Sequence, residues 1–100
     1  MNYHGVEIPR EAVADLCRRN HIVRLSFFGS VLREDFGPDS DVDVLVEFAP
    51  KSLVTFLDMA QMQEELSQLL GRQVDLRTPQ ELSRYFRDEV LSSAVVQYAA

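Results

Sequence analysis

The apolar positions of this chain change period several times, and each change marks an element. After Ile8-Pro9-Arg10, Val13, Leu16 and Cys17 recur on one helical face, which predicts a helix from about Pro9 to Arg19 with proline at its first position and Asn20 at its end. From Ile22 to Phe28 the chain turns β-branched and aromatic, predicting a strand buried on at least one face and stopped by Gly29-Ser30. Val31 to Asp35 fits a short helix opening at Ser30, and Phe36-Gly37-Pro38-Asp39-Ser40 fits a turn. Strict alternation follows from Asp41 to Phe48, with Val42, Val44 and Val46 on one face and Asp41, Asp43, Leu45 and Glu47 on the other. Pro50 breaks that strand. Ser52 is a candidate cap for a long amphipathic helix carrying Leu53, Phe56, Leu57, Ala60, Leu66, Leu69 and Leu70 and ending at Gly71. Gln73 to Arg77 reads as a third strand. Thr78-Pro79-Gln80-Glu81 is a capping box opening a last helix, whose buried face would be Leu82, Tyr85, Phe86 and Val90. The stretch through Val95, Val96 and Tyr98 fits either a continued helix or an extended tail.

That order of elements predicts an α+β fold, a small mixed β-sheet backed by helices on one face, leaving the other face for chemistry. One hundred residues without repeat, linker or low-complexity segment read as one domain spanning 1–100, able to bury about two thirds of its unfolded surface. With 46% apolar and 26% charged residues, the chain is expected to fold rather than remain disordered. Its formal charge of −6 opposes stable gripping of nucleic acid through phosphates. A nucleotide substrate stays compatible with that acidity if bound metal ions invert the local field. Cys17 is the single cysteine, so no internal disulfide forms, and it reads as a small buried hydrophobe. No signal-like start and no membrane-length apolar run occur, which places the expected location in the cytoplasm.

Candidate chemistry concentrates at the carboxylates. Asp41 and Asp43 project to one side of their strand with Val42 turned away, and Asp75 opens another strand between Val74 and Leu76. Three such charges in a small fold repel unless neutralised, and Mg²⁺, a hard cation that bridges to phosphate, is the economical counter-ion. Asp39, Asp41 and Asp43 imitate a calcium loop, but Val44 and Pro50 stand where its glycine and closing glutamate belong. The isolated glycines at 5, 29, 37 and 71 make no Walker or dinucleotide fingerprint. One cysteine with the distant His4 and His21 does not suit zinc.

Phe28-Gly29-Ser30, Arg33, Ser40-Asp41-Val42-Asp43 and Val74-Asp75-Leu76 together resemble the minimal nucleotidyltransferase domains of the DNA polymerase β superfamily, over about Ile22 to Leu76. The resemblance implies the polymerase-β-like nucleotidyltransferase fold, two Mg²⁺ ions and ATP as nucleotide donor. It assigns Asp41, Asp43 and Asp75 to catalysis and metal binding, with Asp75 also able to take the proton of the attacking hydroxyl. Gly29 and Ser30 would hold the triphosphate through backbone N–H groups and hydroxyl, and Arg33 would meet a phosphate. Where many relatives have a glycine after the motif arginine, this chain has Glu34 and Asp35.

Stand-alone members of that family are typically antitoxins of HEPN-domain ribonuclease toxins, which implies AMP transfer from ATP to a toxin tyrosine and a hetero-oligomer with the toxin. The chain stops soon after the minimal fold, so the acceptor is expected to be supplied by another molecule. Met59, Met62, Tyr85 and Tyr98 are candidate contacts. Two other readings stand beside it: a binding module that blocks the toxin sterically, and a transferase acting on a small molecule or RNA.

Overall fold

The computed structural model describes residues 2–3, 6–33, 37 and 39–100, with side chains from residue 6 onward. The chain runs through β1 (Asn2–Tyr3), β2 (Val6–Glu7), α1 (Arg10–Arg19), β3 (Ile22–Phe28), a 3-10 turn (Gly29–Leu32), β4 (Val42–Phe48), α2 (Phe56–Leu70), β5 (Val74–Arg77), a second 3-10 turn (Pro79–Glu81), α3 (Arg84–Ser93) and β6 (Val95–Ala99). Four strands form a mixed sheet of order β5-β4-β3-β6, with β4 and β5 parallel and the other pairs antiparallel. The α+β class follows the alternation of periods in the sequence. β1 and β2 make a separate antiparallel pair.

One core lies between the sheet and helices α1 and α2. Val42, Val44 and Val46 are fully buried there with Leu25 and Phe27 from β3, Val74 and Leu76 from β5, Leu16 and Cys17 from α1, and Leu66 from α2. An irregularity between Ile22 and Arg24 lets Ile22 and Leu25 both face this core, although strict alternation would separate them. The opposite face is closed at mid-strand, where Ser26 and Leu45 pair across the ladder and are both buried. Toward the start of β4 it opens, Asp43 being half-buried and Asp41 exposed.

The helices depart from the sequence reading in informative ways. α1 begins at Arg10 with Pro9 as its cap. α2 is capped by Thr55 and not by Ser52: Thr55 Oγ1 accepts from the Asp58 N–H at 3.0 Å, and the Thr55 N–H donates to Asp58 Oδ2 at 3.0 Å. Its buried stripe is Met62, Leu66 and Leu70, with Met59 packed alongside. Leu53, read with Phe56 and Leu57 as part of the helix's apolar spacing, falls before its start, and the three are 96%, 91% and 65% exposed. The capping box at Thr78 opens only the second 3-10 turn, because Leu82 takes extended backbone; the helix restarts at Arg84, capped by Ser83. α3 therefore buries no residue, and Tyr85 and Phe86 stand exposed. Of the four candidate contacts, Met62 is core, Met59 and Tyr98 pack against it, and Tyr85 is open. The ambiguous terminal stretch is the edge strand β6. Glu34 and Asp35 of the expected short helix, Phe36 and Pro38 of the expected turn, and His4 and Gly5 lie outside the described residues. Among the described residues no helix is long and apolar enough to cross a membrane.

Cys17 is fully buried, and that burial pushes its thiol from an ordinary 9.0 to about 12. The native state therefore keeps a proton that the unfolded chain releases above pH 9. This contribution to stability is present below pH 9 and is lost as pH rises toward 12. We expect native Cys17 to resist alkylation at pH 8 and to react at the rate of global opening, measured by mass shift across a denaturant series.

Candidate active site

The sheet brings the three carboxylates to one end of its open face. Asp43 and Asp75 are register partners in the parallel β4–β5 ladder, flanked by Val42 with Val74 and Val44 with Leu76. All four flanking residues are buried in the core, so the pleat turns both acids to the opposite face, on strands about 4.8 Å apart. Asp41 stands one residue before β4, on Asp43's side of the alternation. The Val42 N–H beside it donates to the Gln73 carbonyl at 2.9 Å, which fixes this end of the ladder.

β3 delivers the other wall. Phe28 is the antiparallel partner of Asp43, and Gly29 then turns the chain with φ +71°. A Cβ at Gly29 would need left-handed backbone and would have to push the Asp43 carboxylate aside, so glycine suits this turn for conformation and leaves the carboxylate its place. The Ser30 backbone N–H donates to the Asp43 carboxylate, and Ser30 Oγ donates to the Asp41 carbonyl at 3.2 Å. The Arg33 N–H closes the turn on the Ser30 carbonyl at 3.0 Å, and its side chain is exposed. The amide and hydroxyl of Ser30, which the sequence reading gives to a triphosphate, are thus engaged with the carboxylate segment.

Electrostatics mark Asp43 as the centre. Burial raises its carboxyl above the ordinary value; the Ser30 N–H opposes this, the negative charges of Asp75 and Asp41 add to it, and the Arg77 guanidinium opposes it again. Asp43 therefore feels the charge of both other acids. A donor set of carboxylate oxygens under mutual repulsion suits a hard divalent cation. As they stand, however, no three His, Cys, Asp or Glu side chains among the described residues are gathered closely enough to hold a metal ion. Asp75 is instead engaged by Arg77, its oxygens meeting Nε at 3.0 Å and Nη2 at 3.4 Å.

Two arginines escaped the sequence reading. Arg77 carried a usable signal, since a residue two beyond Asp75 on a strand shares its face. Arg72 carried none: from the end of α2, its Nη2 donates to the Gly37 carbonyl at 2.6 Å and the Ser40 carbonyl at 2.8 Å, clamping the segment that leads into Asp41. Charged donors of this kind are worth about 1.5–3 kcal/mol each, so Arg72→Ala is expected to cost roughly that in urea unfolding. Arg72→Lys should recover only part, because an ammonium lacks the planar fork.

Comparison with known proteins places this geometry in context. Residues 9–97 match the family of nucleotidyltransferase domains. A Methanocaldococcus jannaschii protein named as a candidate protein adenylyltransferase is 37% identical over 89% of this chain and 92% of its own. The protein adenylyltransferase MntA of Thermococcus cleftensis is 33% identical over 81% of this chain and 80% of its own. Among solved structures, a candidate minimal nucleotidyltransferase superposes with TM-score 0.71 at 42% identity, covering 86% of each chain. A toxin–antitoxin structure with AMP-PNP gives TM-score 0.73 at 19% identity, over 93% of this chain and 75% of that one. A tri-AMPylated Shewanella oneidensis HEPN toxin in complex with its MNT antitoxin gives 0.64 at 19%, over 91% and 70%. The last two likenesses speak for the fold alone.

Proposed function

This chain belongs to the nucleotidyltransferase-domain family, and from that premise we propose that it is a protein adenylyltransferase antitoxin, moving AMP from ATP to a tyrosine of a HEPN-domain ribonuclease toxin. The observation that carries this reading is the register pairing of Asp43 with Asp75 beneath the Gly29 turn. The names of the relatives support protein as the acceptor class. The toxin acts on RNA and needs cationic surface, which a partner of net charge −6 complements in a hetero-oligomer. We place the activity in the cytoplasm, in one domain spanning 1–100.

In this mechanism Asp41, Asp43 and Asp75 would hold two Mg²⁺ ions. When bound, these supply charge stabilisation for both the entering and the leaving oxygen of an in-line displacement. Gly29 gives the triphosphate close access to the backbone, the Ser30 hydroxyl and amide turn from the carboxylate segment to phosphate oxygens, and Arg33 adds positive charge at the rim. The tyrosine oxygen forms a bond to the α-phosphorus as the bond from that phosphorus to the bridging oxygen breaks. Pyrophosphate leaves, and Asp75 takes the phenolic proton.

Chain, ATP, Mg²⁺ and a HEPN-domain toxin are to be mixed and the toxin weighed by mass spectrometry. An added AMP that disappears with Asp41→Asn and with Asp43→Asn is the expected result. The exposed Leu53, Phe56, Leu57, Tyr85 and Phe86 favour a second reading, a purely steric blocker. Under that reading the two variants neutralise the toxin as well as wild type does and no mass is added. AMP appearing on RNA or a small molecule instead of the toxin rejects both.

A further inference from the structure

Arg77 occupies the third carboxylate. Its Nε and Nη2 fork onto the two oxygens of Asp75, at 3.0 Å and 3.4 Å. Its Nη1 lies 3.9 Å from Glu81 Oε2. Glu81 is itself held in place, because its Oε1 accepts from the Thr78 N–H at 3.0 Å and from Thr78 Oγ1 at 3.1 Å in the second 3-10 turn. The guanidinium thus stands between two anionic seats, one inside the carboxylate cluster and one outside it.

We propose that Arg77 is a built-in competitor for the divalent cation at Asp75, a positioning residue that withholds the third carboxylate until metal arrives with its nucleotide. The inference rests on the proposed function and adds to it an order of binding. A forked guanidinium engages both carboxylate oxygens, the same atoms a hard cation must approach to about 2.0–2.1 Å, so it holds positive charge against that seat and weakens what Asp75 can offer a metal. A metal ion alone has to displace Arg77 against like-charge repulsion. A metal–triphosphate complex carries compensating negative charge, and Glu81 receives the guanidinium as it leaves. Both partners are partly exposed, Arg77 at 46% and Asp75 at 39%, so solvent screening keeps the competition to a moderate factor.

The test is Mn²⁺ titration of the full chain, with the free ion followed by electron paramagnetic resonance, first without and then with ATP. Without ATP, Arg77→Gln is expected to bind Mn²⁺ about tenfold more tightly than wild type, and Arg77→Lys to fall between them. In an Asp75→Asn background, Arg77→Gln should change nothing. The gain in Mn²⁺ affinity brought by ATP should be larger in wild type than in Arg77→Gln. These readouts do not move if Arg77 only stabilises the fold. Equal Mn²⁺ affinity of wild type and Arg77→Gln, or no binding to either, overturns the inference while AMP transfer to the toxin still stands on its own assay. Mn²⁺ binding indifferent to Asp41→Asn and Asp43→Asn combined overturns the metal site, and this inference falls with it.

Discussion

Asp43→Asn is expected to abolish AMP transfer by about a thousandfold or more while leaving the protein folded and no less stable at neutral pH. The two effects separate because the charge that the chemistry needs is one the fold tolerates poorly. Asp43 is half-buried, and burial, assisted by Asp75 and Asp41, raises its carboxyl above the ordinary range. A carboxyl raised on folding holds its proton more tightly in the native state, so its contribution to stability is present at low pH and lost as pH rises through its folded value. Asparagine keeps the shape, and its amide oxygen still accepts from the Ser30 N–H without carrying the charge. Wild type should therefore gain stability relative to the variant as pH falls from 7 to 4, followed by thermal melts at both values. A variant that loses stability at pH 7 along with activity would show that Asp43 holds the fold together as well.

Gly29→Ala is expected to lose both activity and stability, and Gly71→Ala supplies the comparison that explains why. Both glycines have left-handed backbone, at φ +71° and φ +67°. A Cβ at Gly71 meets nothing within 4 Å, whereas one at Gly29 runs into the Asp43 carboxylate. Gly71→Ala should therefore cost only the backbone penalty of about 1–2 kcal/mol and keep the activity. Gly29→Ala carries that same penalty and must also displace Asp43, so its loss of stability should exceed that of Gly71→Ala and its transfer activity should fall to the level of Asp43→Asn. Paired urea unfolding curves and transfer assays decide it. Equal behaviour of the two variants would mean that the close approach of Gly29 to Asp43 has no part in the chemistry.

What could be read from the sequence tracks how local the governing physics is. The valine stripe of β4 and the acids between the valines follow from alternation alone, and both lie where alternation puts them. The start of α2 was legible too, but in a detail: Ser52 and Thr55 are both suitable caps, and only Thr55 has an acid three residues on to return the hydrogen bond. Phe56, Leu57, Tyr85 and Phe86 show the limit of periodicity, which detects an apolar face without saying whether anything covers it. The pairing of β6 with β3 is long-range and includes an irregularity between Leu25 and Ser26, so no local pattern announces it. Arg72 acts on Ser40 through geometry that exists only after the chain has assembled, whereas the pairing of Arg77 with Asp75 lies within one strand and was open to the i,i+2 rule.

Asp43 and Asp75 are register partners but lie on opposite sides of a helical crossover, since α2 connects their two parallel strands. During synthesis the rung that joins them cannot close until this helix and the strand beyond it have been made. In the mature protein the dependence runs the other way: whatever bridges the two acids also straps down the crossover, and bound nucleotide should slow hydrogen exchange at the amides of Leu66 and Leu70, at a distance from any atom it touches.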